Sequence, residues 1–169
     1  GTAAELLGAE GKALPVIEEV VDFATALVCA EAVGAMKFAC DTTLEYLKTR
    51  KQFGVPIGTF QALQHRMVDM FVACEQARSM ACLACSKVDG AADAVERARA
   101  VSAAKIKIAD NARLVSQEAI QLHGGMGYAE EFAVSRYFVD ARVLSIFEGA
   151  DETLCLRGIA RRRAEQSLE

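Results

Sequence analysis

A chain of 169 residues, 53% hydrophobic and 25% charged, is long enough for one well-cored domain, too short for two, and neither disordered nor collagenous. A net charge of −4 leaves no basic stripe to neutralise phosphates, which excludes nucleic acid as a general partner. No apolar run reaches the roughly 18–20 residues that span a bilayer, and the opening Gly1-Thr2-Ala3-Ala4-Glu5 lacks the basic-then-apolar order of a signal peptide, so a soluble cytoplasmic protein is expected.

Breakers divide the chain. Between Pro15 and Gly54 the only interruption is Gly34, and none falls between Gly58 and Gly90 or between Gly90 and Gly124. Such stretches are long helices, and Pro15 suits a first helical turn, where its missing N–H is not needed. In the first helix Val16, Val20, Phe23, Leu27, Gly34 and Phe38 step along one face, which the spacing assigns to the core. The opposite face, with Ile17, Val21, Val28 and Met36, is apolar too. That leaves two readings, a tight core on both sides or a partner outside the chain. Phe60, Leu63, Met67, Met70, Cys74 and Ala77 mark a second helix; Val101, Ala104, Ile108, Ala112, Val115, Ala119 and Leu122 mark a third. Shorter helices follow, from about Glu131 to Phe147 and from about Asp151 to Arg163. No segment alternates long enough to make a strand. The expectation is all-α: an antiparallel four-helix-type bundle with a short C-terminal helix.

Three polar clusters interrupt these helices. Arg50, Lys51, Gln52, Phe53 and Gly54 follow the first helix, and Phe60-Gln61 open the second. Cations there offset the negative helix end; alternatively Arg50 grips a phosphate, with Phe53 stacking and Gln61 hydrogen-bonding. The run Gln121-Leu122-His123-Gly124-Gly125-Met126-Gly127-Tyr128 ends the third helix, with Gly124 or Gly125 as a left-handed cap that also lets a backbone approach a ligand. It lacks the strand and spacing of a dinucleotide fingerprint. In Ser145-Ile146-Phe147-Glu148-Gly149-Ala150-Asp151-Glu152, Glu148 is a carboxylate among apolar neighbours, the setting of a proton-abstracting base. The plainer alternative is a solvated Glu148, with Asp151 or Glu152 capping the next helix.

Cys29, Cys40, Cys74, Cys82, Cys85 and Cys155 lie in Ala-rich segments and read as buried thiols of a reducing compartment. The formal CxxC of Cys82 and Cys85 has neither a redox strand–helix context nor a second pair for zinc. His65 and His123 are the only histidines and complete no metal motif, so no metal is expected.

In this order and spacing, the Arg50–Gly54 run, Phe60-Gln61, the Gln121–Tyr128 run, Asp140-Ala141-Arg142 and Phe147-Glu148-Gly149-Ala150 resemble the C-terminal part of the acyl-CoA dehydrogenase family. The resemblance implies that residues 15–169 are the family's C-terminal helical bundle and residues 1–14 the exit from a β-domain outside this chain. It implies FAD at an intersubunit site, touched by Arg50, Gln52, Phe53, Gln61, Gln121, Gly124 and Gly125, with Ala150 and Glu152 at further flavin-contact positions. It implies that Glu148 takes the α-proton of an acyl-CoA thioester as hydride leaves the β-carbon, giving the 2-enoyl-CoA. The implied partners are the acyl-CoA substrate, an electron-transferring flavoprotein and further subunits, alike or different, in a dimer or tetramer. Ala150 replaces the family's usual Thr, Phe147 its Tyr, and Thr25 an Arg common on the first helix. Some relatives carry the base on that helix, where Asp22 is the alternative. An oxidase or monooxygenase on the same scaffold, or a non-catalytic partner subunit, are the rival readings.

Overall fold

The computed structural model describes residues 8–90 and 93–160. Helix α1 (Leu14–Thr49) carries Pro15 in its first turn, as the ring geometry prefers, and runs unbroken through Gly34. A two-residue hairpin follows, β1 (Lys51–Gln52) paired antiparallel with β2 (Val55–Pro56), then a 3₁₀ turn at Ile57–Thr59. Helices α2 (Gln61–Gly90) and α3 (Ala94–His123) end at the expected glycines. The Asp93 carboxylate caps α3 by accepting the Val95 N–H at 3.0 Å. The described residues continue with α4 (Gly125–Tyr128), α5 (Ala133–Val143), α6 (Asp151–Cys155) and a π-helical turn at Leu156–Ala160. The C-terminal helical segments are thus shorter than expected, and 161–163 fall outside the described residues.

Helices α1, α2, α3 and α5 form the four-helix-type bundle, with α3 packed on all the others. Cross-helix contacts fix the directions. Arg66 donates to Glu118 at 2.8 Å, Asn111 to the Ala73 carbonyl at 2.9 Å and Lys87 to Glu96 at 2.6 Å, which makes α2 and α3 antiparallel. The predicted α3 stripe, Val101 through Leu122, is buried throughout. Facing it, α2 buries Met70, Ala73, Ala77, Ala81 and Ala84, and α1 buries Ala26, Cys29, Ala32, Met36 and Ala39. Small side chains let the helix backbones come close, and larger ones there would overpack at about 1–3 kcal/mol each.

Three expectations need correction. The large residues of α1 face outward: Val16 is 61% and Phe23 51% exposed, and Val20, Leu27 and Phe38 are exposed with them. Periodicity finds an apolar face, but only the small face of α1 fits against the alanines of α2. Among the described residues nothing covers the bulky stripe, so a core on both sides is not what forms. The cysteines also divide. Cys29 and Cys40 are buried, Cys74 and Cys85 half-buried, and Cys82 and Cys155 exposed, because the Ala-rich helices expose parts of every face. Finally, a strand pair does form, because Phe53 (φ 56°) and Gly54 (φ 80°) both take positive φ, the requirement of a tight hairpin turn. Among the described residues no helix is long and apolar enough to cross a membrane.

Candidate active site and cofactor surface

At one end of the bundle α1 and α3 finish side by side. The His123 ring is buried, its Nδ1 lies 2.7 Å from the Ala119 carbonyl, and it stacks on Tyr46 at 4.4 Å between centroids. The Tyr46 hydroxyl donates back to the His123 carbonyl at 3.3 Å. This clamp joins the last turn of α1, which leads into Arg50, to the last turn of α3, which leads into Gly124 and Gly125. The Arg50 N–H closes α1 on the Tyr46 carbonyl, and its own carbonyl accepts the Ile57 N–H, both at 2.8 Å, which docks the hairpin. Gly58 is pressed so near α1 that a Cβ would stand 2.9 Å from the Leu47 carbonyl oxygen. Phe53, 90% exposed, meets Phe60 edge-on at 6.0 Å, while Gln52 and Gln61 are exposed on either side of the turn.

Gly124 caps α3 with φ 62° and ψ −146°. This is not the left-handed helical cap expected from the sequence but a mirror-extended conformation open to glycine alone. A Cβ on Gly124 or Gly125 would meet nothing within 4 Å, so their backbone is bare. Among the described residues the Arg50 guanidinium has no ion-pair partner. This end therefore presents a free cation, a flat aromatic face, amide groups and naked peptide, a donor set that fits a diphosphate with attached rings.

Glu148, Ala150 and Glu152 lie elsewhere. Helix α5 ends in a turn in which the Phe147 N–H reaches the Val143 carbonyl at 3.1 Å. Glu148 then adopts φ 53° and Gly149 φ 103°. Left-handed backbone costs a non-glycine residue about 1–3 kcal/mol, and such strain clusters at functional sites. Beneath this loop Lys105 is only 1% exposed, and its Nζ donates to the Phe147 and Gly149 carbonyls, both at 2.8 Å. The same Nζ is 5.9 Å from the Phe147 ring centre. Burial pulls the Lys105 pKa below its ordinary value, opposed by the charges of Asp151, Cys29 and Glu148. Phe147 also lines a largely apolar cavity of about 260 Å³ with Met36, Ala39, Val115 and Leu144, between α1, α3 and α5, where Glu31 and Asp140 are the charged lining residues.

Glu148 is half-buried, Ala150 is the N-cap of α6, and Glu152 is exposed in its first turn, where its charge suits the positive helix end. Neither Asp151 nor Glu152 makes a side-chain cap. Along α3, Lys105 and His123 are about 27 Å apart at 1.5 Å per residue. The residues singled out in the sequence thus fall into two groups that one copy of the chain does not bring together. Asp22, the alternative base, is buried with its two oxygens 3.0 Å from Arg97 Nε and 3.4 Å from Arg157 Nη1. Its lone pairs are committed to guanidinium groups, which removes it as a free base. The Thr25 hydroxyl donates to the Val21 carbonyl of its own helix at 2.8 Å. Among the described residues no three potential ligands gather for a metal.

Sequence reasoning missed Lys105. A signal was present, because Lys105 stands at helical spacing from Val101, Ile108 and Ala112, inside the stripe assigned to the core.

The chain matches the family described as "Acyl-CoA dehydrogenase, C-terminal domain" over residues 3–164. It is 36% identical over 151 residues to the short-chain-specific acyl-CoA dehydrogenase of Megasphaera elsdenii, covering 89% of this chain and 38% of that one. Among solved structures it is similar to butyryl-CoA dehydrogenase from Megasphaera elsdenii (TM-score 0.87, 33% identity, 96% of this chain and 42% of that one). It is also similar to the FAD complex of PigA (TM-score 0.84, 31% identity, 95% of this chain and 41% of that one). The chain spans under half the length of these relatives. An all-α bundle of this order, matched over nearly its whole length at these identities, belongs to the acyl-CoA dehydrogenase C-terminal domain family.

Proposed function

We propose that this domain serves a longer FAD-dependent enzyme that dehydrogenates an acyl-CoA thioester to the 2-enoyl-CoA, with Glu148 as the base. The observation that carries the reading is the Glu148 loop: a carboxylate residue fixed in left-handed backbone, next to a phenylalanine that lines a largely apolar cavity. FAD, when bound, supplies the acceptor for the β-hydride. Arg50 would neutralise its diphosphate, Gln52, Gln61 and Gln121 would hydrogen-bond it, Phe53 would cover a ring, and the bare Gly124–Gly125 backbone would admit it closely. Ala150 and Glu152 would stand beside the base.

Glu148 takes the α-proton onto a carboxylate oxygen as the Cα–H bond breaks. Such a proton is feebly acidic, so the base must be held in place and kept from bulk water. The distance between the two groups supports an intersubunit arrangement in which the Arg50 end of one copy completes the site of another. The exposed stripe of Val16, Val20, Phe23 and Leu27 supports association, since a patch of that kind marks a contact surface. By the family resemblance the electrons pass onward to an electron-transferring flavoprotein, in a cytoplasmic setting that keeps the cysteines reduced.

The test is Glu148→Gln in the full-length enzyme, mixed anaerobically with an acyl-CoA thioester while flavin bleaching is followed. Gln is nearly isosteric, so flavin content should hold while bleaching slows by about 10²–10⁴-fold. Bleaching at the parental rate would remove Glu148 as the base.

A further inference from the structure

We propose that Lys105 is a positioning residue for Glu148: from the bundle core its ammonium pins the peptide groups on both sides of Glu148 and so holds the carboxylate in its working orientation. This rests on the reading of Glu148 as the base. Lysine is almost never fully buried unless its charge is answered, and here Lys105 is 1% exposed. The answer is not a carboxylate at hydrogen-bond distance. Two of the ammonium hydrogens go to main-chain carbonyls, those of Phe147 and Gly149, both at 2.8 Å.

That choice of partners is specific. A core lysine seeking only hydrogen bonds could use any free carbonyl at a helix end. These two flank the one residue of the loop that is strained without being glycine, Glu148 at φ 53°. The anchor is also stiff, because the Lys105 stem lies in α3 among Val101, Ala104 and Ile108, all buried. On the far side, Gly149 at φ 103° lies so near Leu154 that a Cβ would stand 2.8 Å from its Cδ2. The loop is gripped from below and walled from beside. Released from the pins, Glu148 would relax toward the right-handed region that L-residues prefer, carrying its carboxylate with it.

The experiment compares Lys105→Met and Lys105→Arg in the full-length, FAD-loaded enzyme. Met keeps the length and burial of the stem but donates nothing, whereas Arg restores charged donors. The first readout is the first-order rate constant of flavin bleaching, which a smaller folded fraction leaves unchanged while lowering the amplitude. The second is amide exchange across 147–150. Misplacing a catalytic group by about 1 Å costs on the order of 10²-fold, so K105M should lower the rate constant by roughly 10–10²-fold with KM little changed. Exchange should quicken at 147–150 and not along α3, and K105R should recover part of the rate. A rate constant equal to the parent's, or faster exchange spread along α3 with none localised to the loop, overturns the proposal. Glu148→Gln run in parallel separates the two readings: parental bleaching there sinks the base, while loop exchange in K105M still reports on the pins. If K105M does not accumulate, ¹⁵N spectra of the parent decide. A slowly exchanging Lys105 ammonium coupled to the Phe147 and Gly149 carbonyl carbons supports the pins, and a freely exchanging one overturns them.

Discussion

The Gly124 end of α3 and the stretch around Lys105 are built on opposite plans. At the first, side chains and bare backbone are turned out: Arg50, Gln52, Phe53, Gln61 and two glycines face solvent, beside the stacked rings of Tyr46 and His123. At the second, a charge is turned in, and it holds a strained loop from inside the core. If the outward set meets a ligand or a second copy, as proposed, its residues should matter for binding and little for stability. An inward set is part of the fold, so its residues should affect stability and orientation together.

Asp22 offers the strongest stability test of the inward plan. It lies deep between α1 and α3 with Arg97 and Arg157 on its two oxygens. Removing one partner of a buried ion pair costs about 3–5 kcal/mol, because the other charge is left unanswered. Asp22→Ala should therefore lower the urea midpoint strongly. In whatever protein still folds, the bleaching rate constant of the full-length enzyme should be unchanged; a fall on the scale of Glu148→Gln would restore Asp22 as a candidate base.

Two glycines allow a direct contrast between the regions. Gly149→Ala combines positive φ with contact against Leu154, whereas Gly124→Ala carries the conformational strain alone in open space. Each strained backbone costs about 1–3 kcal/mol, and the Gly149 variant should sit at the upper end. Flavin retention should separate them the other way, with Gly124→Ala losing FAD more readily. Arg50→Ala sharpens this further. With no ion pair to lose, its thermal midpoint should match the parent's, while loss of a charged hydrogen bond of about 1.5–3 kcal/mol weakens FAD binding. A drop in thermal midpoint with FAD binding intact would break the division.

What could be read from the sequence follows the same division. Helix α3 was legible because its near-heptad stripe from Val101 to Leu122 is the face that is buried, and the glycines that end α2 and α3 stood where the breakers put them. On α1 the periodic face was visible but the covered one was not, because alanines, two cysteines and threonines took the buried face over valine and phenylalanine. The polar runs at helix ends were legible as motifs. Lys105 was not, because a pattern of apolar spacing treats every lysine as solvent-facing, and only the carbonyls of a loop 42 residues away explain its place. Gly124 as a cap was legible, but its ψ of −146° was not, since backbone bonding beyond the helix sets it.

The smallest expected effect comes from Cys29, a neighbour of Lys105 in the core. Burial pushes its thiol from 9.0 up to about 12, with the Lys105 charge opposing and Cys85 adding to the rise. At pH 8 a maleimide should thus label the exposed Cys82 and Cys155 quickly and leave Cys29 untouched until the chain unfolds. The same shift gives a pH dependence of known sign. Below pH 9 the thiol is protonated in both folded and unfolded chains, and its contribution is fully present. Between 9.0 and about 12 the unfolded chain releases the proton and the folded one does not, so stability is lost as pH rises. Cys29→Ala has no such proton to release, and other ionisations are common to both proteins. Parent and variant should therefore converge in urea midpoint across that window, relative to their separation at pH 8. A separation that stays constant would mean that Cys29 ionises as freely in the bundle as in the unfolded chain, and that the region around Lys105 is wetter than its packing indicates.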